Sequence, residues 1–255
     1  MSVPLSIITI VRNDRAGLER TRSSLSDQRL RDFEWILVDG ASTDATRPLV
    51  EALLDQGVAR GVSEPDAGIY DAMNKGLRLA RGEHVLFLNA GDRLIGPDAL
   101  ARATAAMAAL GDPDIAFFGS QMDFGGRILA RQAKPPGYLW HGQPGLHQAT
   151  FVRRTLHLRY PFREQYRVCG DYDALTRMAM AGARMESFAE IIGVNRFERG
   201  AMSSNKRLLI REAAAIQRAV LRLPRWKVAV SAGRRALHSA VFTLLTSIAP
   251  RGSAR

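Results

Sequence analysis

Over the first 112 residues the apolar positions alternate between two patterns. Short unbroken runs occupy Leu5–Val11, 35–38 and 85–88, with a weaker one at 58–63. An apolar or β-branched run without polar alternation predicts a strand covered on both faces. The segments between them have a helical period. Residues 14–26 form a polar helix, and Ser42-Thr43-Asp44 offers N-cap chemistry for a second helix reaching about Asp55. Ile69, Ala72, Met73, Gly76, Leu77 and Ala80 recur at spacings of three and four, predicting an amphipathic helix that Gly82 ends. An alanine-rich helix follows Pro97 and runs to about Leu110. Strand alternating with helix predicts an α/β fold with a mostly parallel central sheet flanked by helices.

After Asp114 the texture changes. Residues 115–118 read as a strand, and 121–146, rich in Gly, Pro and basic residues, as a hairpin and a long loop. A strand is expected over 147–152 and a helix over 171–180, with Leu175 and Met178 on one side. Two helices close the chain, at about 204–221 and 226–248, separated by Pro224. There is no internal repeat and no low-complexity segment.

Composition sharpens this picture in two places. The 255 residues are 46% hydrophobic, enough for a sizeable core. Cys169 is the one cysteine, which excludes an internal disulfide framework and fits a reducing, cytoplasmic setting. No signal peptide is apparent, and no apolar run approaches the roughly 20 residues of a membrane-spanning helix. The net charge of +11 is concentrated at one end. Residues 201–255 hold 11 Lys and Arg against one acid, Glu212, whereas residues 1–200 hold 25 basic and 24 acidic side chains. A neutral body with a basic tail does not resemble a nucleic-acid binder, and only Trp226 and Phe242 could stack on bases there. It suits an anionic surface such as the inner membrane leaflet.

In an open α/β sheet, ligands sit outside the carboxyl ends of the strands. Here those ends read Arg12-Asn13-Asp14, Asp39-Gly40, Glu64-Pro65-Asp66 and Asn89-Ala90-Gly91-Asp92. A rim dense in carboxylates repels a bare phosphate. It makes sense if a divalent cation, Mn²⁺ or Mg²⁺, binds there and a diphosphate completes its shell. Neither a Gly-x-Gly-x-x-Gly nor a Gly-x-x-x-x-Gly-Lys-Ser/Thr loop follows the first strand, so a glycine cradle for phosphates is excluded.

The motifs LSIITIVRN, ILVDGASTDAT, SEPDAGIYDAMNKGLRLARGEHVLFLNAGD, LHQATFVRR, CGDYDALTRM and FERGAMSS, in that order, resemble the inverting family 2 glycosyltransferases of the GT-A fold. The likeness is greatest to bacterial enzymes of surface polysaccharide and lipid-linked oligosaccharide synthesis, and covers about residues 4–205. It implies a GT-A domain over 1–205, with a nucleotide-binding half at about 1–112 and an acceptor half at about 113–205. Residues 206–255 are then a basic amphipathic helical tail.

The resemblance also implies roles. Asp39 and Asp66 would hold the nucleoside, with Asn13, Asn74, Lys75, Asn89, Arg199 and Ser203 as further donor contacts. Asp92 matches the last acid of the family's Asp-x-Asp motif and would ligate the cation; Asn89 replaces the usual first acid. Asp171 matches the second acid of a Glu-Asp motif and would be the catalytic base, with Gly170 in place of the first acid and Asp173 as a rival. His147 and Gln148 would meet the acceptor. The implied reaction moves a sugar from a nucleotide-sugar, UDP-linked, to a hydroxyl of a glycan or lipid-linked oligosaccharide. A nucleotidyltransferase, or a non-catalytic membrane-associated scaffold of the same fold, are the alternatives. Trp226, Val230, Leu237, Val241, Leu244 and Ile248 recur at helical spacing beside Arg234, Arg235 and His238, so the tail can lie on a membrane; the core or a second subunit of a homodimer would cover it otherwise.

Overall fold

A computed structural model describes residues 4–196 and 205–248, with side chains to 238. The first half follows the alternation. Strands β1 (Leu5–Val11), β2 (Glu34–Asp39), β3 (Arg60–Ser63) and β4 (His84–Phe87) are separated by helices α1 (Arg15–Ser26), α2 (Thr46–Asp55) and α3 (Ile69–Leu79). β1 pairs in parallel with β2 and β4, and β2 with β3. The apolar runs are buried on both faces, as their lack of alternation requires: Ile7, Ile8, Ile36, Leu37, Val85 and Leu86 have no exposure. One face of the sheet packs on α3 through Ile8, Val38, Met73 and Leu77, the other on α1, α2 and α4 (Ala99–Ala109) through Ile7, Leu18, Val50 and Leu100. α2 starts later than Ser42 because Ser42 and Thr43 are engaged by Asp39 and Asn13.

The second half extends the sheet differently. After the two-residue β5 (Arg93–Leu94) come β6 (Ile115–Asp123), β7 (Ile128–Arg131), β8 (Thr150–Arg153) and β9 (Met185–Arg196). The strand order is β3-β2-β1-β4-β8-β6-β9-β5, with β7 on β6. β8 is antiparallel to both β4 and β6, β9 is parallel to β6, and β5 is antiparallel to β9. The helices of this half are α5 (Arg154–Arg159), α6 (Gly170–Met180), α7 (Lys206–Ala219) and α8 (Arg225–Ile248), with 3₁₀ turns at Pro136–Trp140 and His147–Ala149, so the strand expected over 147–152 begins only at Thr150.

The expected boundary after 205 does not separate two packing units. Ala213 and Ile216 of α7 lie in the same core as Phe117, Tyr172 and Met178. Gln217 donates to the carbonyl of Trp140 (2.9 Å) and to the Ser231 hydroxyl of α8 (2.7 Å). α7's apolar face is therefore buried against the sheet-bearing body, and α8 is fastened to it.

Candidate active site

The carboxyl ends of β1, β2 and β3 are tied together by side chains. Asp39 is fully buried; its carboxylate accepts from the Ser42 N–H (3.0 Å), the Ser42 hydroxyl (2.5 Å) and the Ser63 hydroxyl (2.6 Å). It thus shapes the rim from beneath. Asn13 closes the next gap: its N–H donates to the Ser42 hydroxyl (2.8 Å) and its Oδ1 accepts from Thr43 (2.8 Å). Asn13 and Ala41 take left-handed backbone angles, with φ of 51° and 55°. Such angles cost about 1 kcal/mol or more each and persist where neighbours over-determine them. Asp66 leans over Gly40, where a Cβ would come within 2.3 Å of its carboxylate, so Gly40 is the residue that admits it.

Asn74 and Lys75 are used differently from expectation. Asn74 is buried, and its amide is spent on the backbone of Phe162, donating at 2.9 Å and accepting at 3.0 Å. Lys75 clamps the 64–66 loop through the Pro65 carbonyl (2.6 Å), Glu64 (3.0 Å) and Asp71 (3.4 Å). Asn74 thus ties α3 to the backbone at Phe162, and Lys75 supports the loop that carries Asp66. Arg199 and Ser203 lie outside the described residues.

At the end of β4 the chain turns through Asn89-Ala90-Gly91-Asp92. Thr21 of α1 fixes this turn, donating to the Asp92 carbonyl (2.7 Å) and accepting from the Gly91 N–H (3.1 Å). Gly91 has φ of 94° and lies against Arg196, whose Cδ would be 3.1 Å from a Cβ there. Asp92 is buried. Its Oδ1 accepts from the Asn195 amide (3.0 Å) and the Arg196 N–H (3.1 Å), both from the end of β9. The sequence pattern pointed to neither residue, since a strand over 185–196 was not expected. The Arg196 guanidinium continues to Asp14 at 3.4 Å.

His147 stands between the two acids. Its Nε2 is 3.6 Å from Asp92 Oδ2 and 3.1 Å from the Asn89 amide nitrogen, and its Nδ1 is 4.0 Å from Asp171 Oδ2. Burial by itself would depress this imidazole, but the hydrogen bond and charge of Asp92 and the charge of Asp171 outweigh it and raise its pKa. Gln148 is fully buried, and neither atom of its amide finds a partner among the described residues.

Asp171 and Asp173 share the first turn of α6 but not a role. Asp173 has no exposure and is held by Arg177 (2.7 Å) and Arg163 (3.5 Å). Asp171 is partly exposed and borders a small, mainly apolar recess with His147, Phe162 and Leu175. Of the pair, only Asp171 has an accessible carboxylate. Cys169 is buried, its thiol pushed up to about 12 by burial and then by the charges of Asp171 and Glu212, so it stays protonated and is no nucleophile.

These contacts form two chains. One runs from Asp39 through Ser42 to Asn13 and from Asp14 across Arg196 to Asp92; the other runs from Asp92 across His147 to Asp171. No cluster of three or more His, Cys, Asp or Glu side chains with metal-site geometry occurs among the described residues. Two oxygens at the turn after β4 are nevertheless of the type a hard cation takes. Asp92 offers a carboxylate, and Asn89 Oδ1 is a buried oxygen without a partner among the described residues.

The sequence model described as "Glycosyl transferase family 2" matches residues 6–192. A Mycobacterium tuberculosis protein named "PGL/p-HBAD biosynthesis glycosyltransferase" is 30% identical over 252 residues, covering 91% of this chain and 94% of the relative. Among solved structures, TarS 1-349 of S. aureus in complex with UDP-GlcNAc superposes with a TM-score of 0.68 at 18% identity, covering 91% of this chain and 71% of TarS 1-349. The mannosyltransferase PcManGT of Pyrobaculum calidifontis, in complex with GDP-Man and Mn²⁺, superposes with a TM-score of 0.65 at 17% identity, covering 97% of this chain and 79% of its own.

Proposed function

The chain belongs to glycosyl transferase family 2, and from that premise we propose that it is an inverting transferase acting on a UDP-sugar and a hydroxyl of a glycan or lipid-linked acceptor, in surface glycan or glycolipid synthesis. The observation that carries this reading is the pair of carboxylates on either side of His147: Asp92, held by the end of β9, and Asp171, accessible at the head of α6. Asp66, beside Gly40, and Asn13, bonded to Ser42, would contact the nucleoside, with Asp39 as scaffold. Asp92 and the Asn89 amide oxygen would hold Mn²⁺ or Mg²⁺, which supplies electrostatic stabilisation of the departing diphosphate.

Inversion follows from a single displacement. The acceptor oxygen bonds to the anomeric carbon as the bond from that carbon to the phosphate oxygen breaks, and the electron pair leaves with the nucleoside diphosphate. Asp171 takes the hydroxyl proton, a service typically worth about 10²- to 10⁴-fold. A thermal-shift comparison of nucleoside diphosphates with and without Mn²⁺ tests the donor side, since a ligand of the folded form alone raises the melting temperature. UDP with Mn²⁺ should stabilise most. Indifference to every nucleotide would favour the scaffold reading.

The tail supports a membrane-bound acceptor. Trp226, Val230 and Leu237 are 64%, 47% and 67% exposed on one stripe of α8, while Val228, Ser231 and Arg235 pack on the body from the opposite side. Arg234, Lys227 and His238 flank the stripe, and no described helix is long and apolar enough to span a bilayer. An apolar stripe edged by cations fits the anionic inner leaflet of the cytoplasmic membrane. Co-sedimentation with phosphatidylglycerol vesicles, but not phosphatidylcholine vesicles, should be lost in Leu237→Glu. A wild-type dimer in sedimentation that ignores both vesicles would assign the stripe to a second copy.

A further inference from the structure

The base does not stand on α6 alone. The turn leading into that helix is gripped by Glu212, in the middle of α7. One Glu212 oxygen accepts from the N–H of Arg167 and the other from those of Val168 and Cys169, each at 2.9 Å. Glu212 is buried, and it is the only acid in residues 201–255. Charge-assisted bonds to three consecutive backbone N–H groups fix the direction in which the next residues leave the turn.

From the other side, the same backbone meets Tyr70 of α3. A Cβ at Gly170 would lie 2.6–2.8 Å from the Tyr70 ring, so the ring fills the place where a side chain at 170 would stand. Tyr70 is buried and packs on Phe162, with ring centroids 5.4 Å apart. Burial raises the pKa of its hydroxyl, and the charge of Asp171 adds to that, while the backbone N–H groups of Gly170 and Asp171 act in the opposite sense. The hydroxyl therefore sits at the head of α6, beside the base.

We propose that Glu212 is a positioning residue for the transfer: with the Tyr70 ring opposite, it clamps residues 167–170 and so sets where the Asp171 carboxylate stands. This rests on the assignment of Asp171 as base. It makes α7, from the basic end of the chain, part of the catalytic apparatus as well as the support of α8. A misplacement of about 1 Å at a reacting group can cost on the order of 10²-fold in rate, so the clamp should act on kcat and spare the donor site on the other side of His147.

The test measures kcat and donor KM in the full chain for Glu212→Ala, Glu212→Gln and Gly170→Ala, beside Asp171→Asn. Glu212→Ala should lose about 10- to 100-fold in kcat with donor KM within about twofold of wild type. Glu212→Gln, which keeps one acceptor oxygen, should fall between the two. Gly170→Ala should lose kcat because its methyl meets the Tyr70 ring, and Tyr70→Ala should lose kcat because it removes the opposite jaw. If Glu212→Ala does not fold, Glu212→Gln and Gly170→Ala decide. Wild-type kcat in Glu212→Gln and Gly170→Ala, or losses that fall equally on donor KM, would overturn the clamp. Loss of turnover in Asp171→Asn alongside intact clamp variants would fault the clamp alone; turnover retained in Asp171→Asn would fault the base assignment beneath it.

Discussion

Asp171 and Asp173 stand two residues apart and meet opposite environments. On a helix that spacing points the side chains apart, so their divergence was legible in the sequence. Which one would be open was not, because Arg163 and Arg177 become partners only through folding. Removing one member of a buried ion pair leaves a charge uncompensated, at a cost of about 3–5 kcal/mol. Asp173→Asn should therefore lower stability in urea titrations by that order while leaving UDP affinity unchanged; a stable variant with impaired transfer would make Asp173 the base. Buried histidine adds a pH prediction. His157 is enclosed by Phe87 and Phe162, and burial, with a smaller contribution from Arg177, lowers its pKa to about 4 from an ordinary 6.5. The unfolded chain then binds a proton that the folded one refuses. Stability is whole above about pH 6.5 and drains as pH falls toward 4, by about 3 kcal/mol from this residue. Denaturant titrations at pH 7, 5.5 and 4.5 should show that decline, and His157→Phe should flatten it. An unchanged slope in His157→Phe would place the proton uptake elsewhere.

Among the elements, the first half of the chain was the more legible. Its strands are apolar runs and its helices amphipathic, so local pattern and final burial agree. β9 was not, and the reason is physical. Its twelve residues include Glu186, Ser187 and Glu190, several half-exposed, and its place is set by pairing with β6 and β5 at long range. Yet β9 brings Asn195 and Arg196 to Asp92. It can do so because Gly193 lets the strand pass close to the 147–149 turn: a Cβ there would lie 2.8 Å from the Gln148 carbonyl. Gly193→Val should push β9 outward. The expected result is a loss of about 1–3 kcal/mol in stability and weaker binding of UDP with Mn²⁺ by calorimetry. Undiminished donor affinity would show that the end of β9 does not govern Asp92.

At the scale of the whole molecule, the strand ends of the parallel half and the head of α6 are joined through His147, which stands between Asp92 and Asp171. Of the polar residues expected near the strand ends, Asp39 is spent on Ser42 and Ser63, Asn74 on the Phe162 backbone and Lys75 on the Pro65 carbonyl. Sequence spacing locates a rim; it does not say which polar side chains turn inward. The neutral body and basic tail, read from composition, become a catalytic unit with α8 fastened to its side through Ser231 and Arg235. The central claim is that Asp92 serves the donor and Asp171 the acceptor hydroxyl. Its most direct test is UDP-sugar turnover, with UDP binding in Mn²⁺ measured by calorimetry on the same preparations of Asp171→Asn. Binding should match wild type while turnover falls by about 10²-fold or more; near-normal turnover by Asp171→Asn would contradict the account.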